Sequence, residues 1–149
     1  MIKLSMTVLA LALSLLPAEV WAESGVLGFV KIVEGDASIT AEQGTVPAQP
    51  GVPLFLGNLL KTGANGRMGV TFKDNTIMSL GPDTELRIDE YLFAPAKSEL
   101  KLAASLLKGT LHYISGVIAK LKPEAVSVKT PAGIIGVRGT RFLAKAEAE

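Results

Sequence analysis

The stretch Val126–Phe142, VSVKTPAGIIGVRGTRF, decides how the rest of the chain is interpreted. It begins with valines that alternate with polar residues, which is typical of a half-buried β-strand. A Thr-Pro-Ala-Gly turn follows, and Ile134 begins a second strand. Gly136 and Gly139 interrupt that strand, as glycines do at bulges and close backbone approaches. The stretch therefore predicts two short strands near the end of a β domain.

The same stretch resembles the closing motif of the FecR domain, a periplasmic domain of iron-responsive anti-sigma regulators that also occurs in other envelope proteins. The matching residues are Thr130-Pro131, an apolar strand, and then Val137-Arg138-Gly139-Thr140-x-Phe142. Further pieces stand in the family's order: Gly28 and Gly35, Thr62-Gly63 with Arg67, Phe72-x-Asp74, and a Leu-Lys-Gly-Thr-Leu step around Gly109. The resemblance extends over about Gly25 to Leu143. It implies a structural or partner-binding role for Thr130, Pro131, Val137, Arg138, Gly139, Thr140, Phe142, Gly109 and Asp74.

The first 22 residues have the pattern of a secretory signal peptide. A short basic start is followed by the apolar run Val8–Leu16 and by the small-x-small site Val20-Trp21-Ala22. The apolar run is short for a bilayer span, although an uncleaved membrane anchor is the rival interpretation. We predict cleavage after Ala22, which leaves residues 23–149 as one FecR-like domain in the periplasm. No cysteine lies near the cleavage site, so a lipoprotein is not expected.

Composition restricts the classes of function. The 149 residues carry 15 basic and 14 acidic side chains, a net charge of +1, so no basic excess points to nucleic acid. The chain has no cysteine, and a domain of this length buries a sufficient core without disulfides. No apolar run after the signal reaches transmembrane length, so we expect a soluble mature protein.

Short strands separated by turns recur at roughly ten-residue spacing between Gly57 and Asp89, which is typical of a β-sandwich, barrel or solenoid. The pattern alone does not separate these architectures. The resemblance favours an all-β, twisted, β-solenoid-like stack, with a β-sandwich or jelly roll as the alternative. One short helix is expected at most, over Val117–Leu121 and ended before Pro123.

Several turns carry specific expectations. The proline- and glycine-rich segment Ala41–Pro53 excludes a central strand or a helix and predicts a surface loop. Gly57-Asn58 is expected to turn the chain, and Asn65-Gly66 favours a type I′ turn. Asn75 stands where the family has glycine, so it is expected to adopt a positive φ.

Three segments in the second half are open to more than one interpretation. Tyr91–Lys97, which contains a proline, is predicted to be a connector. Lys97–Lys108 fits a helical face as well as an alternating strand, and helix propensity favours the helix. The resemblance makes it a strand, which is our prediction. The residues after Phe142 are expected to form a frayed end.

The chain offers few residues for catalysis or metal binding. His112 is the single histidine, and it lies mid-strand, opposite in phase to Leu111, so it is expected to face solvent or a partner. With no cysteine, no zinc-ligand spacing is present. A calcium site from Asp74, Asn75 and Asp83 is conceivable, but turn capping explains these residues better. We therefore predict no enzyme activity, metal or cofactor.

The glycines of Gly133–Gly139 resemble a phosphate loop only in spacing, because the Gly-Lys-Ser/Thr sequence and a following helix are lacking. Tight backbone packing explains them better, with Thr140 bonding a local backbone group. Arg138 is expected to brace a turn carboxylate, with contact to a partner as the alternative.

In the family that this chain resembles, classical FecR regulators have a cytoplasmic sigma-binding segment and a transmembrane helix before this domain, and a signalling domain after it. Here a cleavable signal replaces the first two, so a literal anti-sigma role is not expected. We predict a binding or scaffolding module that engages another envelope protein, such as an outer-membrane component, by strand addition to an open sheet edge. The alternative is a glycan- or peptidoglycan-binding module, which requires a row of exposed aromatic residues.

Overall fold

The computed structural model describes residues 25–137 and 139–147. The predicted signal peptide and Arg138 lie outside them. The described strands are β1 Gly28–Glu34, β2 Ala37–Ala41, β3 Gly44–Pro47, β4 Pro53–Leu54, β5 Leu59–Thr62, β6 Arg67–Phe72, β7 Ile77–Leu80, β8 Glu85–Ala94, β9 Glu99–Ile114, β10 Val126–Thr130, β11 Gly133–Gly136 and β12 Arg141–Ala146. The one α-helix described, α1, spans Val117–Leu121, and short 3₁₀ turns lie at Pro95–Lys97 and Pro123–Ala125.

The long strand β9 organises the sheet. Its first part, Glu99–Lys108, pairs antiparallel with β8 and parallel with β10. Its second part, Gly109–Ile114, pairs antiparallel with β12 on one side and, over its last four residues, with β7 on the other. From β9 the sheet continues through β8, β5, β2 and β3 in one direction and through β7, β6, β1 and β4 in the other.

The result is a curled, open sheet that forms half a barrel, so the expected all-β single domain is confirmed. The solenoid-like stacking stays a prediction. The core lies on one side of the sheet, because alternate residues of each strand point to that side. On β6, for example, Met68, Val70 and Phe72 are all buried, as their spacing predicts.

Within Lys97–Lys108, all residues from Glu99 onward belong to β9 and only Lys97 lies in the preceding 3₁₀ turn, which confirms the strand prediction. Leu102, Ala104 and Leu106 are fully or almost fully buried there. Pairing with neighbours on both sides therefore overrides the local helix propensity of this alanine-containing segment. The short helix over Val117–Leu121 and the positive φ of Asn75, 68°, are also as predicted.

The segment Ala41–Pro53 is not only a loop, because it contains β3 and the start of β4. These two strands lie at the two ends of the sheet path. Because no further strand pairs with their outer edges, the N–H that proline lacks is not needed there. The prolines exclude a central strand there but not an edge strand. Similarly, the predicted connector at Tyr91 is wrong in part, since β8 continues to Ala94.

Two further expectations are wrong. The residues after Phe142 are not frayed, since β12 extends to Ala146 and Ala144 and Ala146 are buried against the sheet. The Asn65-Gly66 pair does not form a type I′ turn, because neither residue has a positive φ.

The Asn65-Gly66 turn is closed instead by the Gly66 N–H, which donates to the Gly63 carbonyl at 2.9 Å. A side chain at Gly66 would overlap the Asp36 carbonyl, so this glycine provides space rather than a special dihedral angle.

Within the part of the chain that the structure describes, no helix is long and apolar enough to cross a membrane.

Candidate functional site

Asp74 lies in a completely buried position in the turn between β6 and β7. Its Oδ1 accepts hydrogen bonds from the Tyr91 hydroxyl at 3.0 Å and the Thr76 N–H at 3.3 Å. Its Oδ2 accepts from the Thr76 hydroxyl at 2.7 Å and the Ile118 N–H at 3.0 Å. Since a buried carboxylate requires such donors, the four bonds identify Asp74 as a structural anchor.

The same residue uses its backbone to hold two other elements. The Asp74 N–H donates to the Tyr91 hydroxyl at 3.0 Å, and its carbonyl accepts from the Val117 N–H at 2.7 Å. Asp74 therefore ties the β6–β7 turn to β8 and to the start of α1. Burial and the adjacent Asp74 charge raise the pKa of the Tyr91 hydroxyl, which keeps this donor protonated.

Gly109 lies where β9 passes from β8 to β12, and its φ is +93°. A Cβ at this position would lie 2.5 Å from the Thr84 Cα, so only glycine fits. The Thr84 hydroxyl accepts the Thr110 N–H at 3.0 Å, and the Thr84 N–H donates to the Thr62 hydroxyl at 3.0 Å. Gly109 thus lets β9 approach a threonine network that joins β5, β9 and the turn between β7 and β8.

The closing motif runs from the end of β10 through the turn at Pro131 and through β11 to the start of β12. The Thr130 hydroxyl donates to the Gly133 carbonyl at 3.1 Å, which closes the turn that contains Pro131. Val137 is buried, and the Phe142 ring stacks on Tyr113 with centroids 4.8 Å apart.

The glycines of this motif do not provide tight packing, contrary to the expectation from sequence. A Cβ at Gly133, Gly136 or Gly139 would meet nothing within 4 Å. Gly139 instead supplies a φ of +95°, which other residues rarely adopt. The Thr140 carbonyl accepts the Ser115 N–H at 2.8 Å, which is a contact with a distant part of the chain rather than the local backbone bond expected from sequence. The expected bracing by Arg138 lies outside the described residues.

The structure therefore does not bring the predicted residues into one catalytic site. Asp74, Gly109 and the closing motif support three different junctions of the sheet. No group of three histidine, aspartate or glutamate side chains in residues 25–137 and 139–147 could hold a metal ion. His112 is half-buried on the outer face of β9, opposite Ser79, and no described hydrogen bond joins their side chains.

The Thr62, Thr84 and Tyr91 contacts are absent from the sequence prediction. The Asp74-x-Thr76 spacing was a usable local signal, because aspartate and threonine at this spacing favour a side-chain-closed turn. Nothing local indicates the more distant partners.

Each of the two end strands of the sheet path has a proline at an outward backbone position. On β3, the Ala48 N–H donates to the Ala37 carbonyl at 2.9 Å, so Pro47 directs its backbone outward. On β4, the corresponding bond from Val30 to Val52, also 2.9 Å, places Pro53 outward. Because proline has no N–H, neither position can donate to an added strand.

The outer edge of β12 is different. Among the described strands, only β9 pairs with β12. The Ser115 N–H donates to the Thr140 carbonyl, and bonded and non-bonded pairs alternate along antiparallel strands. The outward N–H and C=O groups therefore belong to Arg141, Leu143 and Lys145. This six-residue edge contains no proline, so it can accept a further strand.

A family model described as FecR protein matches residues 58–149, more than half of the chain. No curated protein and no solved structure matches. The match begins just before β5, so it includes Asp74, Gly109 and the closing motif but not β1 to β4. The resemblance of that first part to the family stays a prediction, although β1 and β2 pair directly with strands of the matched region.

Proposed function

Because the chain belongs to the FecR protein family, a family of regulatory signalling proteins, we propose that it is a non-enzymatic binding or scaffolding module of the periplasm. It engages another envelope protein, such as an outer-membrane component, in signalling or assembly. The proposal includes removal of the signal peptide after Ala22.

The observation that carries this proposal is the open edge of β12, at the end of the family's closing motif. At the β3 and β4 edges a proline removes one outward donor, whereas β12 offers donors and acceptors at three successive outward positions. Strand addition to such an edge is a common way to bind an extended segment.

The candidate residues support a binding role better than a catalytic one. Asp74 is buried and its carboxylate is occupied by four donors, and Gly109 serves backbone packing. Catalysis by general acid or base requires a group within reach of a substrate proton. Asp74 does not meet that requirement.

A glycan-binding role lacks a comparable supporting observation. In the described part of the chain, the exposed aromatic side chains are Phe29 and Phe55, on β1 and after β4. Stacking on a polymer requires several aromatic faces in a row, and these two residues do not form one.

The proposal is tested by crosslinking in living cells. A photoreactive residue is introduced singly at four exposed positions on different elements, Ile32, Val46, Leu121 and Leu143. Captured proteins are identified by mass spectrometry, and N-terminal sequencing of the periplasmic fraction determines the first mature residue. We expect Glu23 as that residue and one discrete envelope protein at one or more positions. Capture of only the protein itself, or co-sedimentation with cell-wall polymer, would contradict the proposal.

A further inference from the structure

We propose that the outer edge of β12 binds an extended segment in which an acidic, an apolar and an acidic residue alternate along one face. This inference rests on the proposed function, because it specifies the chemistry of the protein partner. The three residues that direct their backbone groups outward, Arg141, Leu143 and Lys145, also expose their side chains.

The charges on this edge select the partner. Arg141 and Lys145 flank Leu143 on the same face of β12, since residues two apart in a strand share a face. Within residues 25–137 and 139–147, neither cation forms an ion pair. In an added strand, the directly opposite residues lie about 4.5–5.5 Å away, where opposite charges stabilise the pair. Acidic residues opposite Arg141 and Lys145 therefore give the favourable combination.

The central position requires an apolar residue. Leu143 is 74% exposed, the largest exposed fraction among the large apolar side chains described. Leu143 is the last of a row of directly opposite residues on neighbouring strands, which continues through His112, Ser79 and Gly69 to Ile32. Ile32, at the other end of this row, is 62% exposed. An apolar residue opposite Leu143 removes its surface from water and lengthens this row.

A second copy of this chain is a poorer occupant of the edge. Antiparallel pairing of two β12 strands around Leu143 places Arg141 of one copy opposite Lys145 of the other. Parallel pairing in register places identical cations side by side. Because like charges directly opposite are destabilising, and edge lysines oppose self-association in natural sheets, the edge favours a different, acidic strand.

The test uses the isotope-labelled full chain and two capped peptides, followed by nuclear magnetic resonance titration so that weak binding is detected. The first peptide is Thr-Glu-Val-Leu-Val-Glu-Thr, and the matched control replaces both glutamates by lysine. We expect the acidic peptide to bind at least about tenfold more tightly, from two cross-strand charge pairs. The shifts of the Arg141, Leu143 and Lys145 amides should change most.

Two controls separate strand addition from simple charge attraction. The double variant Arg141→Glu/Lys145→Glu changes only exposed side chains, so it should fold, and it should reverse the preference between the two peptides. An acidic peptide N-methylated at its two glutamates and its leucine keeps its charges but loses the N–H groups that would donate to β12, and it should not bind. Binding that survives N-methylation, or that is equal for both peptides, would overturn the inference.

Failure of this inference can be distinguished from failure of the proposed function. If the acidic peptide does not bind while crosslinking at Ile32, Val46 or Leu121 captures an envelope protein, this inference is wrong and the binding role stands. If no position captures another protein, the binding role itself is wrong.

Discussion

The Tyr91 hydroxyl both donates to the Asp74 carboxylate and accepts the Asp74 backbone N–H, each across 3.0 Å. One side chain on β8 thus satisfies two polar groups of the β6–β7 turn. The same carboxylate holds the first turn of α1 through the Ile118 N–H. A change at this pair should therefore affect the whole junction.

The first prediction compares two tyrosines. Tyr91→Phe removes the acceptor of the Asp74 N–H and one of the two donors to Oδ1, so we expect a loss of about 1–3 kcal/mol in the free energy of unfolding. Tyr113→Phe removes the same atom from a fully buried ring whose hydroxyl has no hydrogen-bond partner in the described chain. Ser115 and Thr76 lie near that hydroxyl, but neither meets the geometry of a hydrogen bond.

The Tyr113→Phe variant should therefore stay within about 0.5 kcal/mol of the parent. Urea unfolding followed by circular dichroism measures both variants. Equal losses in the two variants would show that the Tyr113 hydroxyl is hydrogen-bonded and that the contrast drawn here is wrong.

The second prediction concerns alkaline pH. Burial raises the pKa of both Tyr91 and Tyr113 above the ordinary value of 10.0, and the Asp74 charge adds to the effect. The folded state therefore retains protons that the unfolded state releases. This contribution is complete below about pH 10 and is lost as pH rises towards the folded pKa values.

The free energy of unfolding should accordingly fall above pH 10, by up to about 1.4 kcal/mol per pH unit for each tyrosine. Tyr113→Phe should reduce this slope. Urea unfolding at several alkaline pH values, together with tyrosinate absorbance, tests this. Normal titration of both tyrosines in the folded protein would contradict it.

The third prediction separates the roles of three glycines. Gly109→Ala introduces both a positive φ and a clash with Thr84, so a loss of at least about 3 kcal/mol is expected. Gly139→Ala has open space but a φ of +95°, and should cost about 1–2 kcal/mol. Gly136→Ala has neither a clash nor a positive φ, so its free energy of unfolding should stay within about 0.5 kcal/mol of the parent value.

Thermal and urea unfolding of the three variants should give that order. A large loss for Gly136→Ala would mean that the closing motif is packed more tightly than the structure shows.

Local sequence patterns predicted much of the fold, because strand alternation and turn residues act over a few neighbours. The two strands around the Thr130 turn and the positive φ of Asn75 followed from such patterns. The role of Asp74 did not, since Tyr91 and Ile118 lie 17 and 44 residues away in sequence. Similarly, prolines in Ala41–Pro53 indicated irregular structure, but their position at the sheet edges depends on strand order, which no local pattern contains.

The segment Lys97–Lys108 shows where local preference fails. Its alanines and leucines fit a helix and a strand equally well. Partners on both sides, β8 and β10, decide between them. The strand prediction for this segment therefore came from the family resemblance and not from its own residues.

The last prediction tests the orientation of β12 in the free protein. If the pairing starts at Ser115 and Thr140, the Phe142 and Ala144 amides bond to β9, whereas the Leu143 amide faces solvent. Hydrogen exchange followed residue by residue should therefore alternate along the strand. Leu143 should exchange at least about tenfold faster than its two neighbours, since about 1.4 kcal/mol of protection is sufficient for that ratio.

Lys145 should exchange as fast as Leu143, so the alternation has an internal check within one strand. Uniform protection along β12 in the isolated protein would mean that its outer edge is already covered, and then no partner strand could add to it. Uniform fast exchange would mean that β12 is not stably paired with β9. Only the alternating pattern leaves a docked strand with a free edge, which is the condition for strand addition.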